Sequence, residues 1–259
     1  MSPIEKFVIV SHGRTGSTTL CHAMSMHPDV QAYGEVFHYV TGQHRLGAEP
    51  ELKQQSSALV NGKVFTHGDD GAEFCRDVIY KSPNEFGKRI VGFKIFFFHA
   101  RRSEREYTAW RYLIDDPSIK VVLLLRKNVF DSYISAERSR HSGVWRVAAS
   151  GVVPEKHQQP ISVDARKCKL YMARTVAQIE WGRRAFATHP LLEIHFEDLQ
   201  RDFQAALNRI FEFLGVEPAP IPMRFEKLNT TPHEEGIVNY NKIRAYFRFS
   251  VFREFFFPD

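Results

Sequence analysis

The sequence predicts an α/β fold with a central, mainly parallel five-stranded sheet flanked by helices. Five short apolar runs have the length and composition of buried strands, and they cover residues 7–10, 30–33, 90–98, 121–125 and 192–196. Helical patterns lie between most of these runs, and such alternation produces parallel sheets with right-handed crossovers. The chain has 259 residues, 43% of them hydrophobic, so we expect a single domain.

The first predicted strand leads into a loop of small residues, Ser11 to Ser17, and a helix begins near Ser17 or Thr18. The loop contains two glycines and three hydroxyl residues. Small residues let backbone N–H groups converge on a ligand, and the start of a helix adds partial positive charge. The loop therefore predicts a site for a phosphate-type anion. An ordinary turn with a hydroxyl cap is the alternative.

This loop departs from the lysine-containing loop of ATP- and GTP-hydrolysing proteins. Such a loop requires a lysine directly before the serine or threonine, and here Gly16 precedes Ser17. The cation of the loop is Arg14 instead. A guanidinium at this point is expected to reach an oxygen of the bound anion.

The second predicted strand ends near Glu35, which we predict to be a general base. A helix of ten residues rises about 15 Å. The extended chain from Asp29 to Glu35 covers about 23 Å, so the chain returns to the level of the loop. A carboxylate that faces an anionic donor makes chemical sense if it removes a proton from the incoming nucleophile. A solvent-facing glutamate at a strand end is the alternative.

The third predicted strand carries Lys94 among apolar residues, and this lysine has two interpretations. Its side chain points to the ligand edge of the sheet, or it extends to solvent from the strand end. Polar, irregular segments around residues 41–89 and 146–164 are expected to be insertions on the acceptor side.

Arg126 lies at the carboxyl end of the fourth predicted strand, and the helix after it offers a second anion site. Asn128 is predicted to cap this helix with Asp131 as its partner, and Ser135 lies about two turns in. An arginine at a strand end and a serine from the next helix can bind a second phosphate. A capped helix with an incidental arginine is the alternative. After the fifth strand, Glu197 and Asp198 are expected to cap a helix.

Composition and charge indicate which ligands and partners to expect. The net charge of +5 suits an anionic ligand, and no nucleic-acid-binding motif is present, so we expect no nucleic-acid partner. The three cysteines, Cys21, Cys75 and Cys168, are expected to be free thiols. The histidines form no metal-ligand pattern, so no metal is predicted. Without a signal peptide or an apolar run of about 18 residues, we expect a cytoplasmic protein with no membrane span.

These motifs together resemble the PAPS-dependent sulfotransferases, enzymes that move a sulfuryl group from 3′-phosphoadenosine 5′-phosphosulfate to a hydroxyl or an amine. The resemblance implies a single P-loop-type three-layer domain over residues 1–259. It also implies a 5′-phosphosulfate site formed by Arg14, Thr15, Gly16, Ser17, Thr18 and Thr19.

The resemblance is closest to the bacterial carbohydrate group that contains the trehalose sulfotransferases. Arg126 and Ser135 look like the family's 3′-phosphate pair. Glu35-Val36-Phe37 matches the Glu-x-Phe stretch that supplies the catalytic base in that group. One departure is Phe196, which stands where the family has a tyrosine.

The activity that the resemblance implies is in-line sulfuryl transfer from PAPS to a carbohydrate or glycolipid hydroxyl, with Glu35 as base, Arg14 as charge stabiliser and no metal. The expected product of the donor is 3′,5′-adenosine bisphosphate, and the expected state is a monomer or a homodimer. A P-loop kinase-like phosphotransferase and a non-catalytic nucleotide-binding protein are the alternatives. Four aromatic residues are predicted either to stack on a sugar or to pack in the core: Tyr33, Phe37, Tyr39 and Trp145.

Overall fold

The structure, a computed structural model, describes residues 4–38, 59–66, 68–145, 153–222 and 231–257. It divides into two compact units. The first unit comprises Met1–Leu125 and Trp181–Phe225, and the second comprises Arg126–Glu180 and Glu226–Asp259.

A five-stranded sheet forms the centre of the first unit. Its strands are β1 (Glu5–Ser11), β2 (Val30–Glu35), β3 (Ile90–Phe96), β4 (Lys120–Leu125) and β5 (Leu191–His195). The strand order is β2-β3-β1-β4-β5, and every neighbouring pair is parallel. The predicted fold class is therefore confirmed.

Helices follow most strands. In chain order they are α1 (Ser17–Ser25), α2 (Gly71–Phe74, continued by a π-helical turn Cys75–Ile79), α3 (Glu104–Asp115), α4 (Val129–Ser142), α5 (Glu155–Gln158), α6 (Ala165–Ala185), α7 (Phe196–Arg201), α8 (Phe203–Leu214), α9 (His233–Gly236) and α10 (Tyr240–Phe247). A short 3₁₀ helix, Arg253–Phe255, follows α10.

Two predicted strand ends are wrong. We predicted that the third strand continues to Phe98, but it ends at Phe96, and the chain turns so that the His99 N–H donates to the Phe96 carbonyl at 2.8 Å. We predicted Phe196 at the end of the fifth strand, but it opens α7, where the Asp198 side chain accepts the His195 N–H at 3.3 Å. Both errors have one cause. Apolar residues indicate burial, and buried residues occur in turns and helix starts as well as in strands.

The core of the first unit lies between the sheet, α1 and α8. The buried side of α8 consists of residues at helical spacing, Leu207, Ile210, Phe211 and Leu214. Close packing also explains Gly92 in β3. A Cβ there would lie 2.5 Å from the Phe7 carbonyl oxygen, so a larger residue would push β1 and β3 apart.

The second unit is organised around the buried guanidinium of Arg138 in α4. Its Nη2 donates to the Gly236 carbonyl at 2.8 Å, and its Nη1 donates to the His157 carbonyl at 3.3 Å and the Gln159 carbonyl at 3.2 Å. One arginine thus joins α4 to the end of α5 and to α9. Buried charges need hydrogen-bond partners of this kind because the loss of hydration is costly.

Two further observations concern the cysteines and the helices. Cys21, Cys75 and Cys168 are buried free thiols, as predicted. Within the parts of the chain that the structure describes, no helix is long and apolar enough to cross a membrane.

Candidate active site

The loop between β1 and α1 has an unusual backbone. Gly16, the residue before α1, has φ 76° and ψ 9°, and Arg14 has φ 69°. A residue other than glycine with positive φ costs about 1–3 kcal/mol, and such strain is concentrated at functional sites. No side chain caps α1. The N–H groups of a helix's first turn have no partner inside the helix, so this loop offers backbone donors to a ligand.

Hydrogen bonds inside the loop fix its shape. The hydroxyls of Ser11 and Thr15 lie 2.7 Å apart, and the Thr15 hydroxyl also donates to the His12 carbonyl at 3.2 Å. Because Thr15 is buried, its side chain is committed to the loop itself. We therefore expect Thr15 to take part in donor binding through its backbone.

A buried lysine joins this loop to Glu35. Lys94, in β3, is 1% exposed, and its Nζ lies 2.9 Å from both the Thr18 hydroxyl and a Glu35 carboxylate oxygen. The structure thus brings together Thr18 and Glu35, which the sequence analysis placed at one site. Lys94 itself was left with two interpretations, and the structure places its ammonium at the ligand edge.

A β-bulge turns Glu35 toward the lysine. In the pairing of β2 with β3, Tyr33 lies opposite Phe93, and Glu35 lies opposite Lys94, so Gly34 is the extra residue. A bulge re-aims the side chains that follow it and is frequent beside active sites. In regular pairing without the bulge, Gly34 would lie opposite Lys94, and Glu35 would point to the other face of the sheet.

The electrostatics of this pair keep Glu35 ionised. Burial alone would raise the pKa of the carboxyl group. The Lys94 ammonium outweighs burial, with smaller contributions from His99 and His38, and lowers the pKa of Glu35 to about 2. While Lys94 is paired with it, Glu35 is a weak proton acceptor, because an efficient base has a pKa near the operating pH.

Two histidines complete the surroundings of Glu35. His38 Nδ1 lies 3.7 Å from a Glu35 carboxylate oxygen. His99, in the turn after β3, is 4% exposed and was missed by the sequence analysis. The available signal was its place just after a strand that lies beside β2, since the carboxyl ends of parallel strands meet at one edge of a sheet.

Glu35, His38 and His99 are also the group that could hold a metal ion within the described residues, because their ligand atoms lie within 4.8 Å of one another. The arrangement does not fit a cation. The ammonium of Lys94 already neutralises Glu35. In addition, His99 Nδ1 accepts the Phe96 N–H at 3.2 Å, which leaves the proton of the neutral ring on Nε2, so neither ring nitrogen has a free lone pair for a cation.

The second predicted anion site lies in the second unit. Arg126 is 6% exposed, and its Nη2 donates to Asp131 at 2.9 Å. The Asn128 side chain accepts the Asp131 N–H at 3.2 Å, so the predicted helix cap is present. His233 Nε2 lies 2.8 Å from the other Asp131 oxygen. Burial would raise the pKa of Asp131, but His233 and Arg126 together lower it.

Ser135, the predicted partner of Arg126, is half-buried in α4, within its second turn. It lies on the helix that Asn128 caps, so the order of strand end, cap and helix agrees with the order expected from the sequence.

The aromatic residues proposed for sugar stacking differ in accessibility. Tyr33 and Phe37 are buried, so core packing is their role. Tyr39 lies outside the described residues, and Trp145 is half-exposed in the second unit. Phe98, which the sequence analysis assigned to a strand, is 56% exposed, and its ring centroid lies 4.8 Å from that of His99.

The fold and this site define a P-loop-like α/β protein with a glycine-containing loop before α1 and a lysine-paired carboxylate at one sheet edge. Comparison with known families makes the class specific. The family of the sulfotransferase domain matches residues 5–235, and the chain therefore belongs to the sulfotransferase family. It is a sulfotransferase, and the family implies PAPS as the sulfuryl donor.

Individual relatives agree with this assignment. Nodulation protein H of Rhizobium meliloti (strain 1021) is 23% identical over 98% of this chain and 96% of its own length. Nodulation protein H of Rhizobium tropici is 22% identical over 98% of this chain and 94% of its own length. The crystal structure of a sulfotransferase from Alicyclobacillus acidocaldarius shares the fold, with a TM-score of 0.51 and 17% identity over 98% of this chain and 95% of that one.

Proposed function

We propose that this sulfotransferase transfers the sulfuryl group of PAPS to a hydroxyl of a carbohydrate or glycolipid, with Glu35 as general base. The observation that carries the proposal is the shared lysine: Lys94 lies 2.9 Å from both Glu35 and Thr18. It places a carboxylate beside the loop that resembles a phosphosulfate site.

The donor is bound in this proposal by backbone N–H groups and by cations. The uncapped start of α1, with residues Gly16, Ser17, Thr18 and Thr19, receives the 5′-phosphosulfate. Arg14 stabilises charge on the leaving phosphate and on the sulfuryl oxygens. Arg126 and Ser135 bind the 3′-phosphate, and Asp131 supports this role because it orients the Arg126 guanidinium.

Lys94 links donor binding to activation of the base. PAPS supplies the sulfuryl group and leaves as 3′,5′-adenosine bisphosphate. Its phosphosulfate, next to Thr18, competes with Glu35 for the Lys94 ammonium. As the ammonium turns toward the donor, the pKa of Glu35 rises from about 2, and the carboxylate becomes a better proton acceptor. Glu35 then takes the proton of the acceptor hydroxyl while the hydroxyl oxygen attacks sulfur in line.

The acceptor is proposed from the resemblance and from one exposed ring. Phe98 lies beside His99 at the same turn and offers an accessible aromatic face. Flat aromatic faces suit the apolar side of a sugar ring. The acceptor class rests on this feature and on the resemblance to carbohydrate enzymes.

Transfer from ³⁵S-labelled PAPS to a panel of glycosides and glycolipids tests the proposal. We expect labelled acceptor and 3′,5′-adenosine bisphosphate in equal amounts, with the same rate in EDTA as in Mg²⁺. Transfer from labelled ATP would instead support the phosphotransferase alternative. Nucleotide binding without transfer to any acceptor would support the non-catalytic alternative.

A further inference from the structure

His99 is fixed by hydrogen bonds on several sides. Its N–H donates to the Phe96 carbonyl at 2.8 Å, and its carbonyl accepts the indole N–H of Trp110 at 2.8 Å. Its ring Nδ1 accepts the Phe96 N–H at 3.2 Å. Trp110 is itself fully buried. The imidazole therefore has a set position and a set orientation.

These contacts also determine which ring nitrogen carries the proton. A backbone N–H can only donate, so Nδ1 must present its lone pair to Phe96, and the neutral ring carries its hydrogen on Nε2. Burial lowers the pKa of His99 to about 3, although the Glu35 carboxylate acts in the opposite direction. The ring is neutral near pH 7, and Nε2 is a hydrogen-bond donor.

This donor is buried and has no hydrogen-bond partner among the described residues. The imidazole lies beside the base, because a ring nitrogen of His99 and a carboxylate oxygen of Glu35 lie within 4.8 Å of each other. Nearly all buried donors in native proteins have a partner, and an exception calls for an explanation. A ligand atom that binds next to Glu35 would supply the partner.

We propose that the Nε2–H of His99 donates to the oxygen of the acceptor's reacting hydroxyl, and that this bond makes the enzyme select hydroxyl over amine acceptors. The inference rests on the proposed function, in which Glu35 accepts the proton of the same group.

The preference for hydroxyl over amine acceptors follows from the number of lone pairs on the attacking atom. A hydroxyl has one hydrogen and two lone pairs. Its hydrogen is donated to Glu35, one lone pair accepts the hydrogen of His99, and the other attacks sulfur. The new oxygen–sulfur bond forms as the bond from sulfur to the 5′-phosphate oxygen breaks. The leaving electron pair stays on that phosphate, and the proton stays on Glu35.

A neutral amine cannot satisfy the same site. Its nitrogen has a single lone pair, which must attack sulfur, so it cannot also accept a hydrogen bond from His99. Binding an amine would leave the His99 N–H unpaired beside another N–H group. Sites built to pair a substrate's polar atoms discriminate strongly against analogues that leave those groups unpaired.

Kinetics with matched acceptors test the proposal. Alkyl glucosides and phenols are compared with the amino analogues of the same compounds, with labelled PAPS as donor. We expect His99→Leu to lower kcat/KM for hydroxyl acceptors by about 30-fold, the effect of one hydrogen bond to a reacting group. Amine acceptors should change by less than about 3-fold. His99→Gln, whose amide N–H can replace Nε2–H, should restore most of the hydroxyl activity. His22→Leu, at an exposed histidine of α1, is the matched control and should change neither rate.

A second readout does not depend on the acceptor. In ¹H–¹⁵N spectra of the histidine side chains, assigned with His99→Gln, His99 should carry its proton on Nε2 and stay neutral from pH 8 to pH 5. A proton on Nδ1, or an ordinary histidine titration, would overturn the inference.

The two proposals fail in different ways. Equal losses for hydroxyl and amine acceptors in His99→Leu, with transfer from PAPS intact in the wild type, would overturn the role of His99 alone. Absence of transfer to every acceptor and of binding to 3′,5′-adenosine bisphosphate would overturn the proposed function, and the inference about His99 with it.

Discussion

Two strand-to-helix connections of this protein are both predicted to bind a phosphate-type anion, but they are built differently. The connection from β1 to α1 has positive φ at Arg14 and Gly16 and no side-chain cap. The connection from β4 to α4 has Asn128 in an extended conformation, φ −88° and ψ 95°, with its side chain bonded to the Asp131 N–H. The start of the first helix has no side-chain cap, whereas the start of the second is capped by a side chain of the chain itself.

The difference teaches which atoms each connection offers to an anion. A helix without a side-chain cap presents backbone N–H groups, which surround a phosphate-type group closely. In a capped helix one of these N–H groups is already bonded, so we expect an anion there to be bound mainly by side chains. In the second connection the side chain is Arg126, already oriented by Asp131. We therefore expect nucleotide binding at the first connection to be sensitive to substitutions that change the backbone conformation. At the second connection it should be sensitive to substitutions that remove a charged side chain.

The largest expected effect is at Glu35, beside the first connection. Glu35→Gln should lower kcat by about 10²-fold or more, because it removes a general base, and should leave the Kd for 3′,5′-adenosine bisphosphate nearly unchanged. Single-turnover rates and calorimetry measure the two quantities. Glu104→Gln, at an exposed glutamate of α3, is the control. An unchanged kcat would show that a residue other than Glu35 is the general base.

The next effect concerns charge at the second connection. Arg126→Ala should weaken 3′,5′-adenosine bisphosphate by about 30-fold and should leave AMP binding unchanged, because only the bisphosphate has a 3′-phosphate. Arg140→Ala, at an exposed arginine of α4, should change neither affinity. Equal losses for both nucleotides would contradict the 3′-phosphate assignment.

A smaller effect concerns the backbone of the first connection. Gly16→Ala places a side chain at φ 76° and should weaken 3′,5′-adenosine bisphosphate by about 10-fold, as the N–H groups of α1 shift. Gly143→Ala is the matched control, since Gly143 has φ 77° at the end of α4. Both variants should lose about 1–2 kcal/mol of unfolding free energy, but nucleotide affinity should fall only for Gly16→Ala. Equal affinities in the two variants would remove the distinction between the connections.

The smallest effect is a pH dependence of stability at the second connection. Burial would raise the pKa of Asp131 in the folded state, but its bonds to His233 and Arg126 lower it. The ionised Asp131 carboxylate therefore stabilises the fold at pH values above the ordinary pKa of a carboxyl group. This stabilisation is lost as the pH falls through the lowered pKa of the folded state. Urea unfolding of the wild type and Asp131→Asn should give curves that converge at acid pH. Parallel curves would show that the pair does not stabilise the fold.

Local patterns made the sheet predictable from the sequence. Each strand is a short apolar run, and the loop of small residues identified the start of α1. The cap by Asn128 was also readable, because its partner Asp131 is three residues away. Contacts over short distances along the chain leave such signatures.

The centre of the site was harder to predict because its contacts join distant residues. Lys94 is bonded to Glu35, 59 residues earlier, and a lone lysine in an apolar strand does not reveal its partner. His99 was missed because the apolar Phe97 and Phe98 were assigned to the strand, which hid the turn that positions it. The bulge at Gly34 depends on the register of two strands, which no single segment specifies.

Calorimetric titration of the protein with 3′,5′-adenosine bisphosphate, and with ADP and ATP in the presence and absence of Mg²⁺, tests the central claim most directly. The account predicts tight binding of the bisphosphate that is independent of Mg²⁺, with much weaker binding of ADP and ATP. Preferential binding of ATP with Mg²⁺ would contradict the assignment of PAPS as the donor.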